Sequence, residues 1–165
     1  MVAIACIDKN NGIGKDDKLL ISIPDDMKFF RETTKDSVVV MGRKTLFSFK
    51  NKEPLKNRIN IVFTNNKELK DEYKNFDNIF FVQKCDELDE ILNNYKDKKV
   101  FIIGGASIYN KFIDKCDEVY ITKVDKVFDA DTFFPRFEEH GFKIESMSEV
   151  YKYNDISYQF LKYKK

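Results

Sequence analysis

Lys99-Val100-Phe101-Ile102-Ile103-Gly104-Gly105-Ala106-Ser107-Ile108-Tyr109 carries an apolar strand through two glycines into the first turn of a helix. A glycine pair between a buried strand and a helix lets backbone approach a pyrophosphate closely, at the positive end of the helix dipole. The dinucleotide fingerprint is incomplete, because Ile108 or Tyr109 stands where a third glycine belongs. Taken alone, the stretch fits a dinucleotide site and an ordinary strand-to-helix turn alike.

The same unit occurs earlier. Ser37 to Met41 is a second buried strand, and Gly42-Arg43-Lys44-Thr45 turns it into a short helix through Phe49. Amides, dipole and two cations point the same way there, which makes an anion seat or a plain turn with surface charges. Val2 to Ile7 is a continuous apolar run suited to a sheet covered on both faces. Further strands are expected at Arg58 to Phe63, Asn78 to Val82 and Glu118 to Val124, with helices at Pro24 to Thr34 and Glu87 to Tyr95. Phe142 to Val150 and Ile156 to Tyr163 close the chain as an antiparallel pair around Tyr153-Asn154-Asp155. Strands alternating with helices, then a strand pair, predict one α/β domain over residues 1–165, with a mostly parallel sheet of eight strands and an antiparallel C-terminal strand.

Ile21-Ser22-Ile23-Pro24-Asp25-Asp26-Met27-Lys28-Phe29-Phe30-Arg31 begins the first helix. Pro24 suits the first helical position, and Asp25 and Asp26 favour the positive end of the dipole. Asp26, Phe29, Phe30 and Thr33 fall at i, i+3, i+4 and i+7, so Asp26 shares a face with two aromatic rings. A working carboxylate and a helix-start charge both fit that spacing; Asp25 reads as the latter. Asp8 to Leu20, between the first strand and this helix, is expected to be a long polar loop and a lid.

The apolar fraction of 42% and aromatic fraction of 15% suffice for a real core. A net charge of +1 argues against nucleic acid or an anionic membrane as the main partner. The apolar N-terminal run is too short for a signal or a span. Cys6, Cys85 and Cys116 have an odd count and no metal spacing, so a reduced, cytoplasmic protein without a metal is expected. His140 reads as a surface residue, and Asp125, Asp129 and Asp131 as a structural acidic loop. Of 29 basic residues only Arg31, Arg43, Arg58 and Arg136 are arginine, so each is a candidate for a bidentate grip on carboxylate or phosphate, with chance placement equally open.

In their joint order these segments closely resemble the dihydrofolate reductase family over nearly the whole chain. They are Ala5 to Gly14, Ile23 to Phe30, Val40 to Thr45, Pro54-Leu55 to Arg58, Ile103 to Tyr109, and Asp131 to Pro135. The resemblance implies helices on both faces of the sheet, a monomer, and NADPH-dependent reduction of 7,8-dihydrofolate to tetrahydrofolate. Hydride would pass to C6 of the pterin, with protonation of N5. It implies that Asp26 holds the pterin, that Thr122 supports Asp26, and that Ile4, Ala5, Cys6, Met27, Phe49 and Leu55 line the substrate. Phe30 would stack on the benzoyl ring, and Arg58 would take the glutamate carboxylate. For the cofactor it implies Ala5, Ile13, Gly14, Gly42, Arg43, Lys44, Thr45, Thr64 and Asn65, together with Ile103, Gly104, Gly105, Ala106, Ser107, Ile108 and Tyr109, with a cis peptide joining the glycine pair.

Three departures stand out. Leu20-Ile21 replaces the family's Pro-Trp in a chain without Trp, Ser107 stands where many members carry a second arginine, and Ala106 replaces a frequent third glycine. The missing indole bears on loop closure. It also keeps open a non-catalytic folate- or dinucleotide-binding module, beside a same-fold reductase of another pteridine or a pyrimidine.

Overall fold

Alternation within the apolar strands builds the molecule. In β4 (Val38–Gly42), Val38 and Val40 pack into one core cluster and Val39 and Met41 into the other. Successive side chains leave opposite faces of a strand, and all four are fully buried, so the sheet must be covered on both sides. The computed structural model describes residues 1–165. Its strands are β1 (Val2–Ile7), β2 (Gly12–Lys15), β3 (Lys18–Leu19), β4, β5 (Ile59–Phe63), β6 (Ile79–Val82), β7 (Val100–Gly104), β8 (Glu118–Val124), β9 (Thr132–Phe133), β10 (Lys143–Met147), β11 (Tyr151–Tyr153) and β12 (Ile156–Lys164). Its α-helices are α1 (Pro24–Thr34), α2 (Arg43–Ser48), α3 (Leu69–Glu72), α4 (Cys85–Leu92) and α5 (Ala106–Phe112).

The main sheet has the order β10-β12-β8-β1-β7-β4-β5-β6, with β11 paired to β12. From β8 to β6 every pairing is parallel, and β12 joins β8 antiparallel. Helix α5 contributes Ile108, Tyr109 and Phe112 to one core. On the other face, Phe29 and Phe30 of α1 and Phe47 of α2 pack against the second. The expected architecture is therefore the observed one.

Four local differences have physical reasons. The stretch after β1 is not one loop: β2 pairs with β3 and with the distant β9, in a small sheet of order β3-β2-β9. Helix α4 starts at Cys85, because the Glu87 carboxylate accepts the amides of Gln83 and Lys84 at 2.6 and 3.3 Å as a third-position cap. Strand β5 begins at Ile59, after Arg58 has tied itself to α1. The strand expected over Phe142 to Val150 is β10 and stops at Met147, a separate β11 follows it, and the β11–β12 hairpin turns through Asn154 and Asp155, both at positive φ.

Candidate active site

A cleft of about 740 Å³ opens at the carboxyl ends of β1, β4, β5 and β7. That is where open parallel sheets bind their ligands. It brings together Ala5, Ile13 and Gly14 from the first strands, Gly42 to Thr45 at the start of α2, Thr64 and Asn65 after β5, and Ile103 to Tyr109 through the start of α5. Every residue that the resemblance placed on the dinucleotide thus lines one cavity. Asp17, Lys18 and Leu19 border it from the β2–β3 turn, and Lys44 meets Asp17 at 3.1 Å across its mouth. Ser48, Phe63, Asn66, Gln83, Lys111 and Thr132 also line it and were not foreseen. They lie at strand and helix ends whose spacing carries no signal of its own.

The donor set suits a polyanion. Amides at the N-termini of two helices face a space bordered by Arg43, Lys44 and Lys111. Gly104 has φ +108°, is joined to Gly105 by a cis peptide, and has no room for a side chain: a Cβ there would meet the Tyr109 ring at 2.9 Å. The Tyr109 hydroxyl in turn donates to the Ile4 carbonyl at 2.7 Å, so ring, β1 and the glycine pair are locked together.

Asp26 does not line the cleft but sits beside it, bonded to Thr122, the cross-strand partner of the lining residue Cys6. Helix α1 starts after a buried Ile23 without a side-chain cap, and the faces sort as the spacing required: Asp26, Phe29, Phe30, Thr33 and Thr34 turn inward. Asp26 Oδ1 accepts a hydrogen bond from Thr122 Oγ1 at 2.6 Å. Burial holds the carboxyl above the usual carboxylate range, while the bond from Thr122 pulls it down. Burial also pushes the Cys6 thiol and the Tyr109 phenol up, with the Asp26 charge adding to both. Both stay protonated.

Ile4, Phe30, Phe49 and Leu55 meet in the second core cluster, forming an apolar wall on the Asp26 side of the sheet. Met27 is instead 41% exposed, because the next residue after an inward Asp26 turns 100° away. Leu55 is placed by two residues missed in the sequence: Asn60 exchanges hydrogen bonds with its N–H and C=O at 3.0 and 2.9 Å, and Asn78 donates to the same carbonyl at 3.0 Å. A fully buried Asn inside the apolar Arg58–Phe63 run was the available clue.

Arg58 donates from Nε to Thr34 Oγ1 at 3.0 Å and from its terminal nitrogens to the carbonyls of Lys56 and Arg31 at 2.6 and 2.7 Å. A guanidinium has five N–H groups, so one remains on each terminal nitrogen for a further acceptor. Of the bland readings, Asp25 does more than charge the helix start, since Tyr158 donates to it at 2.9 Å. The acidic loop is structural: Asp125 pairs with Lys9, Asp129 with Lys15, and Asp131 accepts the Asp16 amide at 3.0 Å. Ile21, in the position of the absent indole, packs in a small cluster with Cys6, Ile23 and Phe128. No group of three or more metal-ligating side chains is gathered anywhere, and no helix is long and apolar enough to cross a membrane.

An anion-seating cleft at the carboxyl ends of parallel strands, with a half-buried acid beside it, defines a dinucleotide-binding α/β protein equipped for proton chemistry. Comparison with known proteins gives the class a family. A family model described as dihydrofolate reductase matches residues 1–165, and the chain belongs to the dihydrofolate reductase family of oxidoreductases, which work with a nicotinamide dinucleotide. It is 33% identical over 164 residues to a dihydrofolate reductase of Bacillus subtilis, covering 98% of this chain and 92% of that one. The dihydrofolate reductase of Haemophilus influenzae is 33% identical over 137 residues, 82% of this chain and 79% of that one. A bifunctional dihydrofolate reductase-thymidylate synthase of Plasmodium chabaudi is 37% identical over 132 residues, 78% of this chain; the match spans only 23% of that relative's length.

Proposed function

We propose that the chain reduces 7,8-dihydrofolate to 5,6,7,8-tetrahydrofolate with NADPH, supplying one-carbon and thymidylate metabolism. The observation that carries this reading is Asp26: a half-buried carboxylate held by Thr122, the cross-strand partner of Cys6, which lines the anion-seating cleft. When bound in the cleft, NADPH supplies the hydride. Gly42 to Thr45, Thr64 and Asn65 would hold its adenosine phosphates, and Gly104 to Tyr109 its pyrophosphate and nicotinamide end. Arg43 carries the preference for a 2′-phosphate, since Ser107 brings no charge.

The chain's own groups orient and protonate. Asp26 accepts the two adjacent N–H donors of the pterin's amino-pyrimidine edge and favours a proton at N5, delivered by water. Its raised pKa matches a group that exchanges protons nearer neutrality. Phe30, Phe49 and Leu55 exclude water along the benzoyl group, and the remaining N–H groups of the Arg58 guanidinium take the glutamate carboxylate. That cation favours a glutamate-tailed folate over a bare pteridine or a pyrimidine. Mixing protein, NADPH and dihydrofolate and following nicotinamide absorbance tests the reading. Loss of absorbance stoichiometric with tetrahydrofolate is expected; tight binding of both ligands without oxidation would make this a binding module.

A further inference from the structure

Ser107 and Lys111 stand at i and i+4 in α5, one above the other on the same face of the helix, and both line the dinucleotide cleft. Ser107 brings no charge. Lys111 brings one from a turn further on, and its long side chain reaches the strand ends. Its Nζ lies 5.3 Å from the centroid of the Phe63 ring, and that ring packs against Phe112 of the same helix with 5.5 Å between centroids. Phe63 is the last residue of β5 and the Cα partner of Gly42, the last residue of β4. Arg43 follows one member of that pair, and Thr64 and Asn65 follow the other. The ammonium is thereby set over the strand ends assigned above to the adenosine phosphates.

Lys18, Arg43, Lys44 and Lys111 are the cations that line the cleft, and of these only Lys44 is paired, with Asp17 at 3.1 Å. Lys18 rises from the small sheet, so Lys111 is the unpaired lysine over the end of β5. An acidic neighbour would hold Lys111 by neutralising it. An aromatic ring holds it through its quadrupole and leaves the charge and three N–H donors for a ligand. NADPH and NADH share a pyrophosphate and differ in the 2′-phosphate of the adenosine ribose, a monoester of about −1.5 to −2 charges near neutral pH. One guanidinium offsets only part of that charge. Arg43 reaches the space from α2 and Lys111 from α5, and a flexible point charge beside a planar fork suits a phosphate well.

We propose that Lys111 is a specificity-determining residue for the cofactor: with Arg43 it clamps the 2′-phosphate of the adenosine ribose and so separates NADPH from NADH. This rests on the reading of the cleft as an NADPH site and adds a second cation to the preference carried by Arg43.

The test is calorimetric titration of the wild type, Lys111→Gln and Lys111→Arg with NADPH and NADH, and with the fragments adenosine 2′,5′-bisphosphate and adenosine 5′-phosphate, in the absence of folate. Lys111→Gln is expected to weaken NADPH and the bisphosphate by about three- to tenfold and to leave NADH and the 5′-phosphate within about twofold. Lys111→Arg should stay near wild type. The difference between wild type and Lys111→Gln should shrink as salt is raised to about 0.5 M, because the contact is an exposed ionic one. Ser107→Arg, which sets a cation one turn earlier on the same face, should restore NADPH affinity to Lys111→Gln. Equal losses for NADPH and NADH would assign Lys111 to the shared pyrophosphate and overturn the proposal. An NADPH preference unchanged in Lys111→Gln would overturn it as well, while leaving the cofactor reading intact. Equal affinity of the wild type for NADPH and NADH would sink both, so the two failures are distinct.

Discussion

Thr122 Oγ1 lies 2.6 Å from Oδ1 of Asp26, a hydrogen bond between a strand on one side of β1 and the helix that crosses it. Only the register of β8 against β1 brings the two together, since 96 residues separate them in sequence. Thr122→Val keeps the shape and removes the donor. It should raise the Asp26 midpoint, because a bond to the charged form is lost, and cost roughly 1–2 kcal/mol of stability above that midpoint. Denaturant unfolding at two pH values checks both.

Burial places the Asp26 carboxyl above its ordinary range, so the folded chain binds that proton more tightly than the unfolded one. Relative to a neutral isostere, stability is intact below the ordinary carboxylate range, near pH 4, and is lost as pH rises through the raised folded value. Asp26→Asn should therefore stabilise the fold at pH 7 by about 0.5–2 kcal/mol, with the gain vanishing toward about pH 4. A calorimetric melting series across pH reads this directly.

Gly104→Ala should be among the most disruptive single-methyl changes. The backbone there is at φ +108°, and the added Cβ meets a Tyr109 ring that is pinned by its bond to the Ile4 carbonyl. A loss of roughly 2–4 kcal/mol is expected in thermal unfolding. NADPH binding should weaken with it, as followed by fluorescence titration.

Arg58→Ala should separate tail recognition from pterin recognition. Folates that carry glutamate should weaken about tenfold or more, the worth of one charge-assisted contact, while bare pterins change little. Some stability will go with it, because Arg58 also ties Thr34, Arg31 and Lys56 together. Equal losses for both ligand classes would move the tail elsewhere.

Asp8 is the hidden organiser of the loop that borders the cleft. Its carboxylate is buried and accepts the amides of Asn10, Gly12 and Phe128 at 2.8, 2.7 and 3.0 Å. Asp8→Asn turns one acceptor into a donor that faces an N–H, and should cost about 1–3 kcal/mol. Faster hydrogen exchange at those three amides, with slower exchange in β4 unchanged, would localise the effect.

The strands and the inward face of α1 were legible because apolar runs and helical spacing are local signals. The two glycine turns were legible as strand-to-helix turns, but their spacing left a ligand seat and an ordinary turn equally open, and only the resemblance pointed to a dinucleotide. The small sheet of β2, β3 and β9 was not. Gly12-Ile13-Gly14-Lys15 has no periodicity to read, and its partner Phe133 is more than a hundred residues away. Asp8, Asn60 and Asn78 were passed over for a related reason: each bonds backbone that only the folded chain brings near. Met27, which the resemblance placed at the substrate, stands 41% exposed one residue after Asp26.

The sharpest check on Asp26 is single-turnover hydride transfer from NADPH to dihydrofolate in wild type and Asp26→Asn, with NADPH affinity measured alongside. Proton control by this carboxylate requires transfer near neutral pH to fall by about two to three orders of magnitude, with NADPH affinity within about twofold of wild type. Normal transfer in Asp26→Asn would remove the carboxylate from the reaction.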